Sequence, residues 1–311
     1  MIAGVRIGHA TDRAGATGCT VLLPPAGAIC AAEVRGQAPG TREVALLGPA
    51  GAVEHADAIL LTGGSAFGLT AADGVVEGLA AAGIGYATPA GPVPIVSAAV
   101  IFDLPLVAPA RPGRAEGAAA LAAAVAAVPG SLPERGSVGA GTGACVGMPL
   151  GHAHATKGGL GIARVEVGGA TVGALAVANA LGDVIGEDGA VLAGLRPTSG
   201  HPSTAAALLA LAATAAPGTA TTLVVVATDA TLDKRDAWRL ARSAHGGIAR
   251  ATVPSATTFD GDVAFAVATG ERPAPPLVAL ETAAAIAVAD AIRDAVRSAT
   301  GLGGVRALAE P

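Results

Sequence analysis

A chain of 311 residues has material for one large domain or two ordinary ones; 52% of it is hydrophobic but only 2% aromatic. Its interior must therefore be small and branched aliphatic side chains, with 45 glycines allowing close backbone approach, which suits α/β layers better than a disordered or fibrous chain. A net charge of −5 with 14% charged residues offers no basic field for phosphate backbones, which argues against nucleic-acid binding.

The opening stretch, MIAGVRIGHATDR, lacks a basic region followed by an apolar core, so no secretion signal is expected. Apolar runs are broken by Pro, Gly or Asp before the roughly 18 residues that a membrane span needs. Cys19, Cys30 and Cys145 are unpatterned and far apart, against a disulfide framework or a zinc site. A cytoplasmic protein without membrane or metal partners is the expectation.

In chain order, strands are expected at 19–23, 29–34 and 58–62. The run SAFGLTAADGVVEGLAAAG then reads as a helix from Ser65 to Ala82 with Ser65 as its cap, and 93–104 as a loop-rich apolar segment. An Ala-rich helix is expected at 115–127 and a glycine-rich loop at 136–147, followed by strands at 160–167 and 171–179. A short helix at 203–215 lies between Pro202 and Pro217, and a strand starts at Thr221. Ala237, Leu240, Ala241, Ala244 and Ile248 keep the rhythm of an amphipathic helix, with Arg235, Arg239 and Arg242 opposite. A strand at 262–269 precedes a last helix over 277–299, whose wet stripe is Asp290, Arg293, Asp294 and Arg297. The composition shifts over 187–220, but the strands on either side read as partners in one core, so a single domain is expected.

Most motifs carry little chemistry alone. GAGTGACVG (139–147) lacks the Lys-Ser/Thr ending of a phosphate loop, and Cys145 has no His at a recognisable offset. His152 and His154 lack an evident third ligand, and Asp183, Glu187 and Asp188 lack calcium-loop spacing and read as a turn. Ser65 sits in a strand-to-helix turn, but Phe67 stands where a nucleophile elbow has its last glycine. Asp260 and Asp262 are two apart at the mouth of a strand. Their carboxylates point the same way, and like charges at close range raise one pKa, so the pair is either open to water or functional.

Seven stretches nevertheless occur in one order: LTGGSAFGLTAADGVVEGL, AAVIFDL, GSVGAGTGACVG, KGGLGIA, ANALGDV, TTLVVVATDA, and AHGGIARA with DGD and FAVATG. Together, over about residues 3–270, they resemble the family of L-aminopeptidase/D-esterase, β-peptidyl aminopeptidases and nylon-oligomer hydrolases. The resemblance implies an N-terminal-nucleophile hydrolase with a four-layer αββα sandwich, commonly assembled as a tetramer, that cuts its own chain before a Ser or Thr. The cut maps between Ala220 and Thr221, giving an α chain 1–220 and a β chain 221–311. A freed α-amino group, with a reference pKa of about 7.7–8.0, can serve as base for the Thr221 hydroxyl, so one residue supplies nucleophile and base. Asn179 matches the family's oxyanion-stabilising asparagine, and Asp260 and Asp262 match its pair that hydrogen-bonds the nucleophile. No cofactor and no metal is implied; the substrate is a small amide, such as a short peptide, a β-peptide or an ω-amino-acid oligomer.

Two departures stand out. Met148 occupies the place of a lysine common after the glycine loop, for which Lys157 is a candidate substitute, and Ala220 replaces an asparagine before the cut. Two rival readings stay open: an acyltransferase of the ornithine-acetyltransferase type, which cuts before Thr in an ATML setting, and an uncut, non-catalytic scaffold.

Overall fold

Two five-stranded sheets lie face to face in a computed structural model that describes residues 4–107, 110–210 and 219–310. The first sheet has the order β1 (Arg6–Asp12), β2 (Thr17–Leu23), β5 (Ala58–Thr62), β8 (Val96–Val100), β4 (Thr41–Arg42). The second has the order β11 (Leu160–Val167), β12 (Ala170–Asn179), β15 (Thr221–Ala230), β17 (Val263–Arg272), β3 (Ile29–Val34). Across each sheet the successive pairings are antiparallel, antiparallel, parallel and antiparallel. Small ribbons join β6 (Tyr86–Thr88) to β7 (Gly91–Val93) and β9 (Cys145–Val146) to β10 (Thr156–Lys157). A third sets β13 (Asp183–Ile185) between β14 (Val191–Ala193) and β16 (Thr252–Val253).

Helices cover the outer faces. Short α1 (Ser65–Gly68) leads into α2 (Ala71–Ala81), which with α3 (Arg114–Ala126) packs on the first sheet; α5 (Lys234–Ala251) and α6 (Leu277–Ser298) pack on the second. The short α4 (Thr204–Leu209) stands apart from these layers. The result is the expected αββα sandwich.

Side-chain alternation explains why β15 is apolar throughout. Leu223, Val225 and Ala227 face the first sheet, and Val224 and Val226 face α5 and α6, so both faces are buried. Alanine and glycine dominate the chain because the helices sit close on the sheets. A Cβ added at Gly161 would stand 2.1 Å from the Ala291 carbonyl oxygen of α6. The five apolar positions expected on α5 are all buried, and Arg235, Arg239 and Arg242 are exposed.

Four expectations are corrected. The helix expected from Ser65 is broken between α1 and α2, and Ser65 is not its cap: Gly64 precedes it, and Ser65 itself has φ +52° while its N–H donates to the Ile101 carbonyl. The segment 93–104 is no loop but carries β8, which pairs parallel to β5. The stripe on α6 is wet except at Arg293, which is buried and donates to the Ile185 carbonyl of β13; Arg297 is exposed and pairs with exposed Glu187. The 183–188 stretch is not only a turn, since Asp183 lies on β13. The helix expected over 203–215 is α4 in its described part; residues 211–218 lie outside the described residues.

Candidate active site

β15 is a central strand, hydrogen-bonded to β12 on one side and β17 on the other. Its first residue, Thr221, pairs with Asn179, the last of β12, and Ala220 bridges to Asp260 just before β17. Strand register alone thus brings together one end of three segments far apart in the chain.

At this point Thr221 is only 4% exposed, and its hydroxyl donates to the Ala220 carbonyl oxygen at 2.6 Å. The same oxygen accepts the Gly261 N–H at 2.9 Å. Gly261 leaves the room this needs, since a Cβ there would stand 2.8 Å from Thr221 Oγ1. Ala220 is fully buried among Cys145, Met148, Leu181 and Val305, with Leu208 and Phe259 against them.

Asn179 is also fully buried. Its Oδ1 accepts the Cys145 N–H at 3.0 Å, while its Nδ2 has no hydrogen-bond partner. An unmatched buried donor costs about 1–3 kcal/mol, so a fold that keeps one calls for an explanation.

The two aspartates hold the neighbours of Thr221. Asp262 Oδ1 accepts the Thr222 N–H at 2.7 Å, and Asp260 Oδ2 accepts the Thr257 N–H and hydroxyl at 2.8 and 2.7 Å. The hydrogen bonds of this pair thus hold Thr222 and the 257–260 turn on either side of Thr221, whose own hydroxyl bonds the Ala220 carbonyl. Burial, followed by the charge of Asp260, pushes the Asp262 carboxyl up to about 7. Burial raises Asp260 as well, against its bonds to Thr257.

Met148 is an apolar wall beside Ala220. Lys157 is fully buried, but its ammonium bonds only the carbonyls of Gly141, Ala144 and Gly158, at 3.3, 2.6 and 3.2 Å. Cys145 is a buried thiol pushed up to about 11, chiefly by burial. His152 and His154 share one turn, and no group of three ligating side chains converges among the described residues. Sequence reasoning missed Gly261 and the backbone amide of Cys145; only the stretches DGD and GACVG, quoted for other reasons, contained them.

The four-layer αββα sandwich is that of the N-terminal-nucleophile hydrolase fold. The chain belongs to Peptidase family S58, which it matches over residues 2–309, and it is a hydrolase of the peptidase/amidase kind. It is 41% identical over 304 residues to an uncharacterized aminopeptidase of Mycobacterium tuberculosis, covering 88% of this chain and 82% of that protein. It is 32% identical over 282 residues to a 6-aminohexanoate-oligomer endohydrolase of an Agromyces species, covering 86% and 74%. Among solved structures, a Burkholderia β-aminopeptidase is similar with a TM-score of 0.70 and 26% identity, covering 99% of this chain and 89% of that one. The L-aminopeptidase D-Ala-esterase/amidase of Ochrobactrum anthropi, a variant of the same fold, has a TM-score of 0.72 at 22% identity, covering 98% and 89%. No helix among the described residues is long and apolar enough to cross a membrane.

Proposed function

We propose that this protein cuts itself between Ala220 and Thr221 and then hydrolyses small amides with the freed Thr221. The observation that carries the reading is the hydroxyl of Thr221 held 2.6 Å from the carbonyl oxygen of the residue before it, at a buried strand start. Attack of Thr221 Oγ on the Ala220 carbonyl carbon forms an ester and releases the Thr221 nitrogen; water then cleaves the ester, leaving a carboxylate on Ala220 and an amine on Thr221. The charge that builds on the carbonyl oxygen meets the Gly261 N–H, already bonded to it, and the free Asn179 Nδ2 donor. Removal of one such donor in other hydrolases costs about 3–4 kcal/mol of barrier.

In turnover the freed amine takes the proton of the Thr221 hydroxyl as it attacks a substrate amide, then returns it to the leaving amine. The new ammonium lies one residue from Thr222, whose N–H Asp262 already accepts; a nearby positive charge favours the carboxylate, so Asp262 ionises as the cut is made. The apolar surroundings of Ala220, with Met148 in place of a cation, suit an uncharged aliphatic acyl part. The relatives named for aminopeptidase and 6-aminohexanoate-oligomer activity support short peptides, β-peptides and linear ω-amino-acid oligomers as substrates.

Intact mass of freshly made protein is the test. Two pieces, 1–220 and 221–311, are expected, and Thr221→Ala is expected to stay whole and inactive. A Thr221→Ala chain that still matures would remove Thr221 from the role and make Thr222 the next candidate.

A further inference from the structure

A fully buried lysine is expensive unless its ammonium is matched, and Lys157 is matched by carbonyl oxygens. The shortest of its bonds, 2.6 Å, goes to the Ala144 oxygen, which also accepts the Gly158 N–H at 2.8 Å. The other end of that same peptide unit is the Cys145 N–H, which donates to Asn179 Oδ1 at 3.0 Å. Beyond it lies the Asn179 Nδ2 group that has no partner. Ammonium, peptide and carboxamide thus form one chain in which each link is the donor to the next. A positive charge on a peptide carbonyl makes its N–H a stronger donor; a stronger bond at Oδ1 does the same for the amide hydrogens of the carboxamide.

We propose that Lys157 is a positioning residue for the reaction: through the Ala144–Cys145 peptide, its ammonium orients and polarises the Asn179 carboxamide that meets the developing oxyanion. The inference rests on the reading of Asn179 as an oxyanion donor. It assigns the buried lysine a part in the chemistry although it touches neither Thr221 nor Ala220. It also gives the glycine loop a reason to turn back on itself: Gly141, Ala144 and Gly158 supply the carbonyls that enclose the charge. The orientation of the carboxamide follows as well, since an Oδ1 committed to the Cys145 N–H leaves only Nδ2 free to donate.

The composition makes the test unusually clean, because the chain has one asparagine, two lysines and three cysteines. In the uncut Thr221→Ala chain, where no new amine titrates, selective ¹⁵N labelling of Lys, Cys and Asn follows every link of the relay. The charged or titratable groups bearing on Lys157 are Asp103, the Cys145 thiol, Arg13 and His152. Burial lowers the ammonium to about 8 and lowers His152 from 6.5, and Asp262 is raised to about 7, so the titration from pH 7 to 9 is run with Asp262→Asn added to isolate Lys157. The Cys145 amide and the Asn179 side-chain amide are expected to shift together with Lys157 Nζ, while the Cys19 and Cys30 amides stay fixed. A Lys157 that titrates without moving the Cys145 amide overturns the relay, and this measurement needs no Lys157 variant to fold.

Self-cleavage rates of freshly synthesised chains separate the relay from its premise. Lys157→Met is expected to slow cleavage about tenfold, and to slow an Asn179→Ala chain by less than about twofold, because the relay then has nothing to act on. If Lys157→Met slows the Asn179→Ala chain tenfold again, the lysine acts elsewhere and the relay is wrong while Asn179 keeps its role. If Asn179→Ala cleaves at the parent rate, the oxyanion assignment itself is wrong.

Discussion

A methyl group at position 261 would collide with the Thr221 hydroxyl at 2.8 Å and with the Ala38 carbonyl oxygen at 2.6 Å. Both contacts are too short for a Cβ, so the hydroxyl and the Ala38 backbone must both give way. Gly261→Ala is therefore expected to slow appearance of the smaller fragment by about tenfold to a hundredfold, since a misplacement near 1 Å can cost that much. A time course on a denaturing gel reads it, and an unchanged rate would show that the close contact does not aim the hydroxyl. Asp262 offers a test of electrostatics at the same scale. Its folded pKa of about 7 lies above the ordinary 3.8, so between these values the folded chain keeps a proton that the unfolded chain has lost. Protons bound in excess by the folded state mean stability that falls as pH rises through this window. In the uncut Thr221→Ala background, Asp262→Asn is expected to gain in melting temperature over its parent from about pH 4 to about pH 7, and then to hold that gain. A gap that stays constant with pH would mean the carboxyl ionises normally. Thr221, Asn179 and the two aspartates were legible in the sequence because they sit in short stretches whose order is shared with a family. The partners were not. The Cys145 amide and the Gly261 amide are backbone groups, and no residue type announces them.

Among elements, the strands and long helices were readable wherever hydrophobic rhythm is imposed by one buried and one wet face, as on α5. The reading failed where a third surface intervenes. Arg293 follows the spacing of a solvent stripe, yet β13 lies across it, while Arg297 one turn on stays exposed. β8 has no wet face, so VSAAV carries no alternation to detect. The turn at Ser65 is set from outside, because Asp103 Oδ1 accepts the Gly64 N–H at 2.7 Å and Ile101 takes the Ser65 N–H. Asp183 shows how such a distant tie serves the site. Its carboxylate accepts the Leu195 N–H at 2.7 Å, the Thr204 N–H at 2.7 Å and the Thr204 hydroxyl at 2.6 Å, fixing the start of α4. Asp183→Ala would strand these buried donors and is expected to cost about 2–4 kcal/mol in a denaturant melt. The same variant is expected to slow self-cleavage, because Leu208 of α4 packs against the wall that holds Ala220. A variant that loses stability but cleaves at the parent rate would show that α4 has no part in presenting the junction.

For the molecule as a whole, β15 and β17, both on the C-terminal side of the proposed cut, are flanked by β12 and β3 from its other side. Eight residue pairs join β15 to β12, and six more join β17 to β3. Severing one peptide bond at Ala220 removes none of these ladders, nor the apolar layers above and below them. The two products are therefore expected to run as one particle on a sizing column and to separate only in denaturant. Two particles without denaturant would contradict that arrangement. Interlocked strands of this kind also carry a cost in how the protein is made: neither half has a complete second sheet, so mixing separately synthesised halves is a poor substitute for an intact precursor. The bond proposed to break is thus the one that first lets the chain find its shape.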